Sequence, residues 1–249
     1  MKVYGILRAI VFTVVTFIAT VLLVIETPAT GGYFNLGEAS IYVIASMAPP
    51  LTTAIAAGLG PALADLVLGY WYFAPATFVI KFCEGYIVSS LMKRLGKRRV
   101  ESVMRILTVI VGVLLSTVIL ATMVGGGGGE VTGATFSWTE TSILGLRIAV
   151  PSFAILLPSY AWLAISALVV VLSVAIAFVR KPYVLAMSVG GMVMVLGYFL
   201  YEFFISNPLI LGRDPVGAVF EVPVNIGQFT AGILLSIPVV QFIERAAKG

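Results

Sequence analysis

Long apolar runs separated by short charged loops constrain this chain more than any other feature. Several of these runs contain about 20 residues, the length that an α-helix needs to cross the hydrocarbon core of a bilayer. Of the 249 residues, 60% are hydrophobic and 10% are charged, whereas soluble domains carry about 25% charged residues. The sequence therefore predicts an all-α integral membrane protein, a polytopic helical bundle folded as a single membrane domain over residues 1–249.

The stretch 38–70 decides how many helices the chain contains. It is 33 residues long and includes the pair Pro49–Pro50, which ends a helix. If this stretch is a helical hairpin, the basic segments 93–99 ("KRLGKRR") and 180–181 lie on the same side of the membrane as the N-terminus, and the positive-inside rule places both termini in the cytoplasm. The prediction is eight helices, over residues 5–25, 38–48, 51–70, 75–92, 103–124, 153–179, 183–205 and 218–243.

Two segments of this scheme need a separate interpretation. The helix over residues 38–48 is too short to span a bilayer alone, so we expect it to be buried among its neighbours. Residues 125–152 are expected to form a long external loop. The "GGGGGE" within it lacks the Lys-Ser/Thr ending of a phosphate-binding loop, which favours a flexible linker.

Ionisable and amide side chains inside the predicted helices indicate a binding site. Such groups are costly in hydrocarbon and are usually functional. Helical spacing places Lys81 and Glu84 on one face, and Tyr198 and Glu202 on another. By depth, these groups converge on the outer half of the bundle, which predicts a pocket open to the outside that suits a small polar ring compound. The predicted substrate-binding residues are Asn35, Glu38, Tyr72, Lys81, Glu84, Tyr198, Glu202, Glu221, Asn225 and Gln228.

A purely structural role is the alternative for several of these residues. Lys81 can form an ion pair with Glu84 or with Asp65 that neutralises buried charge without touching a ligand. Glu38 and Glu221 lie at predicted helix N-termini, where the helix dipole favours an acidic residue in any case.

Missing residue types limit the chemistry available. The chain has no histidine and one cysteine, Cys83, so a histidine base, a histidine metal site and an internal disulfide are excluded. We expect no enzymatic activity, no cofactor and no metal, and the loop clusters of basic residues are a topology signal rather than evidence of nucleic-acid binding. Two alternatives stay open: an intramembrane protease using Asp65 and Glu84, and a self-sufficient secondary transporter or channel, although we find no internal repeat.

Four blocks carry a resemblance to a known family: "TGGYFNLGEASIYVIASMAPP", "AAGLGPALADLVLGYWYFAPATFVIKFCEGYIVSSL", "GGMVMVLGYFLYEFF" and "FEVPVNIGQFTAGILLSIPVV". In this order they resemble the substrate-binding S components of energy-coupling factor (ECF) transporters, in particular the riboflavin subgroup, over roughly residues 25–95 and 183–245. The resemblance implies a six-helix core from residues 1–100 and 180–249, with an inserted pair of transmembrane helices and their Gly-rich external loop over about residues 101–179.

The function implied by this resemblance is that of a substrate-specific binding subunit of an ECF-type ABC importer in the plasma membrane. Such subunits bind a vitamin or related micronutrient from outside and dock on a transmembrane coupling subunit and two ATPase subunits. A riboflavin-like compound is the first candidate substrate, and a thiamine precursor or a queuosine precursor are others.

The resemblance also implies a docking surface on the first helix, where the family uses small residues. Here Gly5, Ala9 and Thr13 recur at every fourth position, a spacing that permits close helix approach. The family's paired alanines are absent and Phe17 interrupts the stripe, so packing within the bundle is the alternative.

Overall fold

Eight α-helices are present in the described part of the chain, as predicted. The computed structural model describes residues 3–27, 31–94, 98–123, 133–143, 146–156, 159–179 and 181–246. Within these ranges the helices are α1 (Val3–Leu22), α2 (Gly37–Met47), α3 (Pro50–Leu68), α4 (Ala74–Met92), α5 (Arg98–Met123), α6 (Ser159–Ala177), α7 (Pro182–Tyr201) and α8 (Ala218–Ala246).

The bundle has the dimensions of a multi-pass membrane protein. In the described ranges, six helical segments are long and apolar enough to cross a bilayer; they contain α1, α3, α5, α6, α7 and α8. Helix α4 is also 19 residues long but carries Lys81 and Glu84, and α2 has only 11 residues. We call the end of the bundle that carries the α3–α4 and α7–α8 connections the pocket end, and the end that carries the α2–α3 connection the opposite end.

Two β-hairpins were not predicted. Strands β1 (Ile25–Thr27) and β2 (Gly32–Phe34) pair antiparallel between α1 and α2. Strands β3 (Gly133–Ile143) and β4 (Leu146–Leu156) pair between α5 and α6, and β4 lies alongside β1. The bundle therefore carries a small β-structured cap at its pocket end.

The second hairpin corrects the prediction for this part of the chain. The expected loop over 125–152 is paired in strands from residue 133 onward, and the helix predicted from residue 153 begins at Ser159. An apolar run such as "RIAVPSFAIL" does not distinguish a strand from a buried helix by periodicity, and the alternating aromatic and β-branched residues of β3 favour the paired strand. The "GGGGGE" segment lies outside the described residues.

Helix α2 is short and buried, as predicted. Ile41 and Tyr42 have no exposed surface, and α2 runs parallel to α4, with Tyr42 beside Glu84. Lys81 contacts Glu38 in the first turn of α2. Because Lys81 lies seven residues into α4, α2 begins about 10 Å below the start of that helix. Strand β2 and a cavity occupy the space above the N-terminus of α2.

The end of α2 is tied to the opposite end of α4. Pro50 starts α3 as its first residue, a position where its missing N–H is not needed. The carbonyl of Ala48 in the break between the helices accepts hydrogen bonds from Ser89 Oγ at 2.9 Å and from Lys93 Nζ at 2.6 Å. These bonds satisfy a backbone group that the broken helix leaves unpaired.

Helix α7 continues past its predicted end as a π-helix over Glu202–Leu211. The predicted helix ended at residue 205 and was followed by a loop. Pro208 lies in the continuation, where its ring would clash with the carbonyl four residues earlier in an α-helix, and the wider π-turns relieve that clash. The segment turns Glu202, Ser206 and Asn207 into the bundle.

Helix α1 packs closely on α3 at Gly60. A Cβ added at Gly60 would lie 2.8 Å from Thr16 Cβ and 2.9 Å from the backbone nitrogen of Phe17. Ala9 and Thr13 are buried, whereas Gly5 is partly exposed. In this structure most of the predicted docking stripe therefore packs inside the bundle, and docking through it would require α1 to separate from its neighbours.

Candidate functional site

A small cavity lies at the pocket end, above the N-terminus of α2. Its walls come from β2, α3, α4, α7, the π-helical segment and α8, and it encloses about 30 Å³. The lining residues are Gly32, Tyr33, Asn35, Pro61, Asp65, Phe73, Thr77, Lys81, Tyr198, Glu202, Glu221, Asn225 and Gln228. A binding role for these residues is a prediction that the following contacts allow us to refine.

Seven of the ten predicted site residues line this cavity: Asn35, Lys81, Tyr198, Glu202, Glu221, Asn225 and Gln228. The other three lie behind or above its wall. Glu38 and Glu84 hold Lys81 from the side of α2 and α4. The hydroxyl of Tyr72 donates to the carbonyl of Gly31 at 3.0 Å, which attaches the α3–α4 connection to the β1–β2 hairpin.

Lys81, Glu38 and Glu84 form a buried ion cluster. The ammonium of Lys81 contacts Glu38 Oε1 and lies 3.3 Å from Glu84 Oε2. Tyr42 donates to Glu84 Oε1 at 3.1 Å, and Gln228 Nε2 donates to Glu38 Oε1 at 3.1 Å. Buried charges of this kind are tolerated when they are paired and hydrogen-bonded. The geometry supports the structural role considered for Lys81, with Glu38 as a partner in addition to Glu84.

Asp65 has a different environment from the ion cluster. The hydroxyl of Tyr33 donates to Asp65 Oδ1 at 2.6 Å. Burial and the neighbouring Asp65 carboxylate raise the pKa of Tyr33 well above its usual value, so Tyr33 stays a neutral donor. Asp65 and Glu84 thus have separate partners, in contrast to the shared proton that a carboxylate protease requires.

Two more carboxylates face the cavity from the last two long helical segments. Glu202 begins the π-helical segment and Glu221 lies in the first turn of α8. Among the described residues, Glu202 Oε2 and Asp65 Oδ2 are buried without a hydrogen-bond partner. Buried polar atoms are nearly always paired, so these two oxygens are acceptors available to a bound molecule.

Hydrogen bonds around the start of α2 hold two amide side chains of the site, those of Asn35 and Gln228. Gln228 Oε1 accepts from the backbone N–H of Asn35 at 3.0 Å and from its side chain at 3.3 Å. Asn35 Oδ1 in turn accepts from the N–H of Gly37 at 2.9 Å, one of the N–H groups that a helix start leaves unpaired. Asn225, one turn before Gln228 on α8, presents the second amide to the cavity.

Several lining residues were absent from the predicted set: Gly32, Tyr33, Pro61, Asp65, Phe73 and Thr77. Helical spacing could have found some of them, because Phe73, Thr77 and Lys81 recur at every fourth position near and along α4. The hydroxyl of Tyr198 donates to Thr77 Oγ1 at 3.1 Å, so this face of α4 is turned towards α7 and the cavity. The contribution of β2 had no comparable signal, since a three-residue strand has no detectable period.

The first part of the chain matches a family of membrane transport proteins. The sequence model of the S component of the ECF-type riboflavin transporter matches residues 1–139, more than half of the chain. The chain belongs to this family. The match confirms the resemblance to this family and contains the first two of the four blocks. It includes α1–α5 and the first part of β3, so it also covers α5 of the predicted insertion. Eight of the thirteen lining residues of this S component fall within it.

One curated relative of this S component comes from Pyrococcus woesei and is described as an uncharacterized protein in gap 3'region. It is 43% identical over 76 residues, which are 30% of the chain and 51% of the relative. The chain thus spans about half the length of that relative. No solved structure matches the chain.

Proposed function

We propose that this S component captures a small heterocyclic micronutrient from outside the cell and delivers it to an ATP-driven import complex, without catalysing a reaction. The observation that supports this proposal is the buried polar cavity, where free carboxylate oxygens and amides lie beside the rings of Tyr33, Phe73 and Tyr198. The family description makes riboflavin the first compound to test. The proposal includes cytoplasmic termini, so that the pocket end faces outward.

Binding requires the cavity to enlarge. Its volume of about 30 Å³ is room for about two water-sized spheres, whereas pockets for small organic ligands measure about 300–1,000 Å³. The outer wall includes β2, which belongs to a hairpin of two three-residue strands. Tyr72 holds that hairpin at Gly31. We propose that this hairpin moves outward to admit the ligand.

The decisive experiment is to purify the full chain and identify what it retains. Native mass spectrometry should detect one heterocyclic compound per chain. Uptake into vesicles should require co-expressed coupling and ATPase subunits. Uptake by this protein alone, without ATP, would instead support a secondary transporter.

Asn225→Ala is expected to weaken binding of the retained compound by at least about tenfold, because a buried hydrogen bond to a ligand is lost. The measurement is isothermal titration on the purified variant, with membrane yield as the check on folding. Gln241→Ala is the matched control, since this amide lies at the opposite end of α8 and donates to Tyr183. Equal affinity of both variants and the parent chain would contradict the assignment of the cavity as the binding site.

Docking on the coupling subunit provides a separate prediction. Gly5 is the partly exposed member of the predicted stripe, so Gly5→Leu is expected to reduce co-purification of the coupling subunit at least about tenfold by blocking close helix approach. Val15→Leu, on an exposed part of α1, is the control. Normal co-purification of the Gly5 variant would exclude docking through this stripe and leave the ligand assignment untouched.

A further inference from the structure

We infer that a groove on the membrane-facing side of the bundle binds one anionic phospholipid, with an acyl chain between α6 and α8 and the phosphate at Lys181 and Arg245. The groove is separate from the ligand cavity, because it lies at the opposite end, where α6 ends, α7 begins and α8 ends. Its assignment to the cytoplasmic leaflet follows the orientation proposed above. The lipid-binding inference itself does not depend on the identity of the ligand.

The groove has the length of one leaflet. It encloses about 320 Å³ and follows α8 from Thr230 to Gln241, about 16 Å of helix. The hydrocarbon core of a bilayer is about 30 Å thick, so this stretch matches the acyl region of a single leaflet. Most of the lining side chains are apolar: Ile176, Val179, Tyr183, Val184, Ile233, Leu234 and Ile237.

A polar pocket adjoins the groove at the end of α8. Its lining residues are Lys181, Gln241, Glu244 and Arg245, and the first two also line the groove. Lys181 and Arg245 are exposed, and neither forms an ion pair with another described residue. Two basic residues against one acidic residue leave a net positive charge, and basic pockets between helices on the cytoplasmic side bind anionic headgroups.

Tyr183 connects the apolar groove to the polar pocket. It is buried in the first turn of α7, and its hydroxyl accepts a hydrogen bond from Gln241 Nε2 at 3.1 Å. A tyrosine hydroxyl that accepts one bond can still donate its own hydrogen, here to an oxygen of the lipid glycerol region. The site therefore presents apolar side chains, a hydroxyl and basic groups in the order in which a phospholipid presents its own parts.

A transmembrane helix of a partner is the alternative occupant. A helix of about 16 Å length and about 10 Å diameter occupies more than about 1,000 Å³, whereas the groove encloses about 320 Å³. A helix would thus lie across the groove rather than within it. An acyl chain is narrower, and its phosphate also complements the charges at the end of the groove.

The test is a lipid titration of the full chain in a neutral detergent, with bound lipid first removed, measured by native mass spectrometry. The probes are phosphatidylglycerol, which is anionic, and phosphatidylcholine, which has no net charge, with identical acyl chains. The headgroup variant is Lys181→Gln combined with Arg245→Gln. Its matched control is Arg94→Gln combined with Arg98→Gln, which removes two exposed basic residues at the same end of the bundle.

A second pair of variants tests the groove itself. Leu234 lines the groove and is 65% exposed, so Leu234→Trp should fill the groove without disturbing the core. Leu235 is 52% exposed and is not a lining residue, which makes Leu235→Trp the matched control.

The parent chain is expected to bind one phosphatidylglycerol at least about fivefold more tightly than phosphatidylcholine, the effect of one net basic residue near an anionic headgroup. This preference should fall below about twofold in the headgroup variant and persist in its control. Leu234→Trp should weaken binding of both lipids at least about fivefold, and Leu235→Trp should not.

Three results would overturn the inference: equal affinity of the parent chain for both lipids, a preference that survives in the headgroup variant, or unchanged lipid binding in Leu234→Trp. If Leu234→Trp instead lost only the coupling subunit, the groove would be a surface for a partner helix. None of these results bears on ligand capture, which the retained compound tests separately.

Discussion

Lys81→Met is expected to lower the free energy of unfolding by about 3–5 kcal/mol, because it leaves two buried carboxylates without their ammonium partner. Lys81 is 2% exposed and contacts Glu38, while Glu84 lies 3.3 Å away. Methionine is unbranched and only one atom shorter than lysine, so most of the loss reports charge rather than packing. The measurement is reversible unfolding in mixed micelles, supported by the thermal midpoint in detergent.

Two further variants separate this explanation from a general effect of mutating a lysine. Lys181→Met removes a charge from an exposed position at the start of α7, and such surface changes usually stay within about 0.5 kcal/mol. The triple variant Glu38→Gln, Lys81→Met, Glu84→Gln should recover most of the lost stability, since neutral groups can replace a buried ion cluster at little cost. A loss below about 1 kcal/mol for Lys81→Met would show that the cluster is not required.

Gly232→Ala is expected to destabilise the bundle by about 1–3 kcal/mol, the usual cost of overpacking a well-packed core. A Cβ at this position in α8 would overlap Glu38 Cβ and would lie 3.2 Å from the backbone nitrogen of Ala39. The first turn of α2 would have to shift, and Glu38 would move with it. The expected loss includes a weaker contact between Glu38 and Lys81.

Gly227→Ala is the matched control on the same helix. A Cβ at Gly227 meets nothing within 4 Å, and alanine is favoured over glycine in a helix by about 1 kcal/mol. This variant should therefore be neutral or more stable than the parent chain. Equal loss in both variants would show that the effect comes from the helix backbone rather than from contact with α2.

Much of the bundle could be predicted from the sequence, because an apolar run identifies its own helix and basic loops identify the side of the membrane on which they lie. The pair Pro49–Pro50 and the segment "KRLGKRR" were sufficient to divide 38–70 into two helices. Helical spacing likewise placed Lys81 beside Glu84, which lies on the same helix. The distance between two residues on the same helix is determined by the geometry of that helix.

The remaining features depend on how separate elements meet. The contact between Lys81 and Glu38 requires the depth of α2 relative to α4, which no local pattern encodes. Tyr72 is an aromatic residue with a polar hydroxyl, as expected of a binding site, yet its hydroxyl donates to the carbonyl of Gly31. The β3–β4 pair was missed because it joins residues far apart in sequence, such as Phe136 and Phe153, and an apolar run alone does not reveal its partner.

The short length of α2 has a mechanical consequence. Asn35, just before its first turn, lines the cavity, and Glu38 in that turn lies behind the cavity wall. Its last turn leads to the Ala48 carbonyl, which accepts hydrogen bonds from Ser89 and Lys93 at the opposite end of the bundle. These two places are joined by 11 residues of helix, a rod about 16 Å long. A displacement of this helix along its axis would therefore change both places at once.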